Sequence, residues 1–113
     1  MTSEIPSKAS PQEMAVTGLK ICRRISDSWG LSEAEESELL GVSSQCNEVS
    51  PDSLERFSYI LGIYKNLRIL FPTEQRASEW VRKPNKAFGG RPAIEVMIED
   101  PAPVRRYLDS QLV

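Results

Sequence analysis

Between Pro51 and Phe71, Leu54, Phe57, Leu61, Tyr64, Leu67 and Phe71 recur at three- and four-residue spacing, and Ile60, Ile63 and Leu70 widen the stripe. Residues so placed share one side of a 3.6-residue helix and no single face of a strand. A stripe this broad makes the helix either the hub of a bundle or partly buried in a subunit interface. Ser50-Pro51 marks its start and Pro72 its end, which predicts a central helix over about 51–71.

The flanking sequence follows suit. Ser10-Pro11-Gln12-Glu13 is a capping-box candidate with proline at the first helical position, and Ala15, Leu19, Cys22, Ile25 and Trp29 then form one stripe that Gly30 ends. Ser32-Glu33-Ala34-Glu35 repeats the capping signature and opens a short helix closed by Gly41. Thr73 caps a helix over about 74–82, another runs over about 92–99, and after a Pro101-Ala102-Pro103 break a last one begins at Val104. With no strand alternation and no internal repeat, the fold class is all-α: a compact bundle of six or seven short helices. At 113 residues and 40% apolar content it is one core's worth of chain, with residues 1–9 a flexible tail, 10–50 a helix-turn-helix-like part and 51–113 a second helical unit.

Composition excludes several chemistries. There is no histidine, and Cys22 and Cys46 fall in unlike contexts without metal-ligand spacing, so no metal is expected and both thiols read as reduced. Without the commonest base, nucleophilic catalysis by Ser or Cys has no activator, and the glutamates sit on a solvated helix face; no catalytic residue, cofactor or enzymatic activity is expected. No phosphate loop is present, because Gly89-Gly90 lacks its spacing. No leader-like apolar segment opens the chain, and no apolar run nears the ~20 residues of a membrane span, so the expected setting is the cytoplasm, most simply bacterial.

The net charge of −2 hides an asymmetry: residues 27–55 hold eight acidic residues and no lysine or arginine, whereas residues 76–91 carry five basic residues against one glutamate. The two halves therefore face different partners or each other. The Gly41-Val42-Ser43 turn has the outline of a helix-turn-helix, but its recognition segment, Ser43 to Ser50, is short, holds Glu48 and has no arginine or lysine. Such a surface repels phosphates, so DNA binding is expected to be weak or absent.

The segment WVRKPNKAFGGRPAIEVM, residues 80–97, is the most unusual. Pro84 stops a helix, Asn85 can bond its own backbone, Gly89-Gly90 permits positive φ and Pro92 starts the next helix. One reading is a packed helix connection with incidental charge. The other is a rigid loop, pinned by Trp80 and Phe88, that presents Arg82, Lys83 and Arg91 to an acidic partner.

LERFSYILGIYKNLRILFP, then W-x-x-x-PN-x-x-FGGRPAIEVM, then VRRYLD, taken in that order, resemble the toxin-binding domain of Xre/MbcA/ParS-type antitoxins, and the likeness runs from about Trp29 to Asp109. The GLS-x-x-E and LLGVS segments resemble the helix-turn-helix part that precedes it, with a departure where a longer, basic recognition segment belongs. The resemblance implies a type II antitoxin whose partner is a cognate RES-domain toxin, a protein that consumes NAD or transfers ADP-ribose and whose cleft the antitoxin occludes. Carried over residue by residue, Trp80, Pro84, Asn85, Phe88, Gly89, Gly90, Arg91 and Pro92 match the loop, and Val104, Arg105, Arg106, Tyr107, Leu108 and Asp109 match the last helix. Arg91, Arg105 and Arg106 are the expected polar contacts, and Gln111, Leu112 and Val113 could reach into the toxin's cleft. A homodimer within a hetero-oligomeric complex is expected, with Tyr59 or Tyr64 available at its seam. The alternatives are a helix-turn-helix regulator that binds its own operator DNA and a plain helical scaffold.

Overall fold

The first helix, α1 (Pro11–Ser28), buries Leu19, Cys22 and Ile25 on one side, with Trp29 just beyond its end. These are the positions that the three- and four-residue spacing selects; Ala15 is half-buried. This computed structural model describes residues 11–42 and 49–112. The N-terminal tail, Ser10 of the first capping box, Cys46 and most of the segment that would hold a recognition helix lie outside the described residues.

Helix α2 (Glu33–Leu40) starts on a complete capping box: Glu35 N donates to Ser32 Oγ at 3.1 Å, and Ser32 N donates to Glu35 Oε1 at 2.9 Å. Two otherwise orphaned N–H groups are satisfied at once. Gly41 closes α2 at φ 70°, in the left-handed region, where a side chain would also approach Ser53 Oγ. Ser53 in turn donates to the Gly41 carbonyl at 3.0 Å, fastening the end of α2 to the start of the next helix.

Helix α3 (Pro51–Leu70) is the hub. Its buried edge is Phe57, Ile60, Ile63 and Leu67; Leu61, Tyr64 and Phe71 are half-buried, and Leu54 and Leu70 are exposed. The buried edge thus runs through Phe57 and Leu67 of the expected stripe and the Ile60 and Ile63 that widen it, while Leu54 lies outside it; α1 and the C-terminal helix both pack on α3. Phe71 is extended, as the residue before Pro72 must be, and Thr73 Oγ1 accepts from Arg76 N to open α4 (Glu74–Arg82).

Two expectations need correction. Although no strand alternation is legible, residues 83–92 hold a short ladder: β1 (Pro84–Asn85) pairs antiparallel with β2 (Arg91–Pro92), Pro84 opposite Pro92 and Asn85 opposite Arg91, closed by a 3-10 turn over Lys86–Phe88. A two-residue ladder is too short to show alternation. Pro92 therefore belongs to β2 and caps α5 (Ala93–Glu99) from outside it. The break expected at 101–103 falls instead at Asp100–Pro101, since α6 (Ala102–Gln111) takes Pro103 into its first turn, where a missing N–H costs no helical bond.

All six α-helices of the described residues feed one core. Leu19, Cys22, Trp29, Leu39 and Leu40 from the first part meet Ile60, Ile63, Leu67, Val81, Met97, Val104 and Leu108 from the second. Truncating any fully buried Leu or Ile here to Ala costs about 2–5 kcal/mol.

Helices α1, α2 and α5 carry no basic residue in their last turns. Distant arginines supply the positive charge that the carbonyl ends favour. Arg56 donates to Leu39 O at 3.0 Å and to Glu99 O at 3.3 Å, bridging the ends of α2 and α5. Arg82 does the same for the end of α1.

Candidate functional site: an aromatic cluster framed by the β ladder and the last helix

Four of the chain's eight aromatic residues converge where α3, α4, the 3-10 turn and α6 meet. Trp80 is central: its ring lies 6.3 Å from Tyr107 and nearly parallel to it, 6.3 Å from Phe88 edge-on and 6.4 Å from Phe71 tilted. Phe88 meets Tyr107 edge-on at 5.4 Å. Offset-stacked and edge-to-face pairs of this kind are worth about 0.5–1.5 kcal/mol each beyond the area they bury. All four rings pack on the core yet stay only partly buried, so each keeps a surface toward solvent.

The ladder fixes Phe88 in that cluster. Asn85 Oδ1 accepts from Ala87 N at 2.9 Å, as its type in a turn suggests, and Asn85 O accepts from Gly90 N at 2.9 Å. Gly89 and Gly90 adopt φ of 69° and 87° with open space around them, so glycine serves the backbone conformation alone.

The basic segment divides sharply. Arg82 turns inward: its Nε donates to Trp29 O at 2.9 Å, and its Nη2 reaches Gly30 O and lies 3.3 Å from Glu35 Oε1. Of the two readings of this segment, Arg82 follows the packed connection: it is exposed, yet bonded to groups of its own chain. The same Glu35 oxygen holds the Ser32 capping bond, and that backbone bond first, then Arg82, lowers the Glu35 pKa. Arg91 forms a two-pronged pair with Glu99 at 2.6 and 3.2 Å and lies 3.6 Å from Glu95. That pairing lowers the Glu99 pKa and raises that of Arg91.

Arg105 lies across Gly62, whose missing side chain makes the room, and contacts Asp109 at 3.3 Å. Asp109 also accepts from the Asn66 amide at 2.7 Å, and this bond, ahead of Arg105, lowers its pKa. Asn66 is only 7% exposed on α3, so Asp109 satisfies a polar group that burial would otherwise penalise and pins α6 to the hub. By contrast Arg76, Lys83, Lys86 and Arg106 are exposed and make no ion pair among the described residues. Gln111 and Leu112 are exposed at the end of α6, and Val113 lies outside the described residues.

Trp80, Asn85, Phe88, Gly89, Gly90, Arg91 and Tyr107 are thus brought together, with Arg106 exposed on α6 beside Tyr107. Arg105 and Asp109 belong to the α3–α6 seam. Sequence reasoning missed Phe71 as a wall of the cluster, Asn66 as the lock on Asp109, and Arg76 and Lys86 as free cations. For Asn66 the available signal is a polar residue inside an apolar helical pattern; for Phe71 it is a ring placed at the helix end against Pro72.

No group of three or more His, Cys, Asp or Glu among the described residues could hold a metal ion, and no helix there is long and apolar enough to cross a membrane.

Partly buried rings, an ordered glycine turn and exposed cations thus occur together, a combination of the kind found at protein-binding surfaces. Residues 66–111, which contain all four rings, match the antitoxin Xre/MbcA/ParS C-terminal toxin-binding domain. The chain is also 40% identical over 101 residues to the uncharacterized protein y4oB of Sinorhizobium fredii, an alignment that covers 78% of each. No solved structure matches it. The chain belongs to the family of that protein, and its C-terminal part is similar to the toxin-binding domain of the Xre/MbcA/ParS antitoxins.

Proposed function

We propose that this protein is the antitoxin of a type II toxin–antitoxin pair and neutralises a RES-domain toxin, one that degrades NAD or transfers ADP-ribose, by covering its active site. The observation that carries this reading is the half-exposed four-ring cluster inside the residues that match the toxin-binding domain. Aromatic anchors beside arginine are the chemistry of binding hot spots, and a site built on a ladder and two helices is preorganised. The chain itself contributes no catalysis and acts in the cytoplasm.

Residues 51–113 bind toxin, and the helix-turn-helix-like residues 10–50 serve as scaffold, sharing the same core. The exposed glutamates of α2 disfavour phosphate contact, so DNA plays little part. Met14, Ile21, Leu54 and Ile69 are 59%, 41%, 40% and 61% exposed on α1 and α3, which supports a homodimer within the hetero-oligomer.

The test is a tagged pull-down of this chain from its native cells, followed by NAD turnover of the eluate before and after any partner is parted from it in mild denaturant. Turnover that emerges only on separation is expected. A RES-domain protein equally active with the chain in excess would overturn the reading.

A further inference from the structure

Beside the aromatic cluster lies a cleft of about 330 Å³ lined by Phe71, Arg76, Glu79, Trp80 and Lys83. Its apolar walls are the rings of Phe71 and Trp80, tilted at 42° to one another. Its rim is charged: Arg76 and Lys83 are exposed and unpaired among the described residues, whereas Glu79 accepts from Gln75 Nε2 at 3.4 Å. Two cations against one carboxylate leave the rim at +1. Lys83 stands four residues after Glu79, a spacing that allows an ion pair, and makes none.

The contrast with neighbouring arginines decides what this means. Arg82, Arg91 and Arg105 are each satisfied by groups of their own chain, so none has a charge left to match. At the cleft, apolar walls and unmatched positive charge occur together, at the volume of a small binding pocket. Charge complementarity therefore selects an occupant with an apolar body and a negative neighbour.

We propose that this cleft anchors the toxin by taking an aromatic or aliphatic side chain of the toxin that is flanked by a carboxylate. The ring walls bury the apolar body, and Arg76 and Lys83 pair with the carboxylate. This rests on the toxin-binding reading above and locates its centre.

The test compares Arg76→Glu/Lys83→Glu with a control of equal charge change on another face, Lys20→Glu/Arg24→Glu on α1. Each variant chain is titrated by calorimetry into the toxin recovered with the parent chain in the pull-down above, at low and high salt, and run alone by size exclusion. All four positions are exposed, so both variants should melt as the parent does. The cleft variant should weaken toxin binding about 30-fold or more and flatten its salt dependence, with the control within about threefold. Unchanged affinity in the cleft variant, or equal loss in both, would overturn the inference while leaving the toxin reading intact. A changed oligomeric state with unchanged toxin affinity would also overturn it, making a second copy of this chain the occupant. If the parent chain itself binds no toxin, the toxin reading fails and the cleft assignment falls with it.

Discussion

Replacing Arg82 by alanine tests whether the basic segment is built for display or for the fold. The side chain donates to the carbonyls of Trp29 and Gly30 and lies 3.3 Å from Glu35, linking the end of α1, the start of α2 and the last residue of α4. A hydrogen bond from a charged donor is worth about 1.5–3 kcal/mol when protected, and an exposed ion pair about 0–1. At 40% exposure the side chain realises only part of this, so the loss should be about 2 kcal/mol. For a domain of this size that lowers the melting midpoint by roughly 8 °C.

Arg91 is the matched control. It lies nine residues on in the same basic segment and makes one shorter and one longer ion pair, both with solvent-exposed partners, and it has no helix end to cap. Arg91→Ala should leave the midpoint little changed. Tryptophan fluorescence reads the transition directly, since Trp29 is buried at the Arg82 junction and Trp80 sits in the aromatic cluster. Arg82→Lys should recover only part of the loss, because an ammonium lacks the fork that serves two carbonyls and a carboxylate. If Arg82→Ala melts with the parent, or Arg91→Ala falls as far, the division into internal and external arginines is wrong.

Two further outcomes follow from buried and paired groups. The Cys22 thiol is fully buried, and burial pushes its pKa up to about 12, so in a Cys46→Ser background it should resist a disulfide reagent at pH 8 and react only as fast as the chain unfolds in urea. Asp109 is held below its usual pKa by Asn66 and then Arg105; its stabilisation is present above the unfolded value of about 3.9 and is lost as pH falls through the folded one. Thermal melts from pH 6 to pH 2 should therefore decline less steeply in Asp109→Asn than in the parent, and parallel curves would contradict the α3–α6 lock.

Helix number, order and most boundaries were legible because they rest on local signals: capping serines and threonines, prolines at helix starts, and apolar spacing. What was not legible depends on distant partners. Nothing in the order of Arg82, Lys83 and Arg91 distinguishes the one that reaches back to Trp29 from the one left free; only the packing of α4 against α1 does that. The same holds for Asn66 and Asp109, which are 43 residues apart. The ladder over 84–92 escaped notice because two-residue strands have no periodicity. The members of the aromatic cluster were partly visible as Trp80, Phe88 and Tyr107, yet their meeting with Phe71 required the turn at Pro72 to bring α4 back along α3.

The charge asymmetry also changes meaning once folded. An acidic stretch at 27–55 and a basic one at 76–91 were expected to face different partners or each other, and they meet within the chain through Arg82 with Glu35. Arg23 with Glu36 removes another acid from the surface tally, and burial raises the pKa of Glu36. Internal pairing of this kind uses up Arg82, Arg91 and Arg105, so that around the aromatic cluster the cations without an ion pair among the described residues are Arg76, Lys83, Lys86 and Arg106. A binding surface whose free cations are few and fixed beside rigid rings discriminates by position rather than by total charge. It follows that moving a single charge around the Trp80 cluster should alter partner choice more than adding charge elsewhere on this mildly acidic chain.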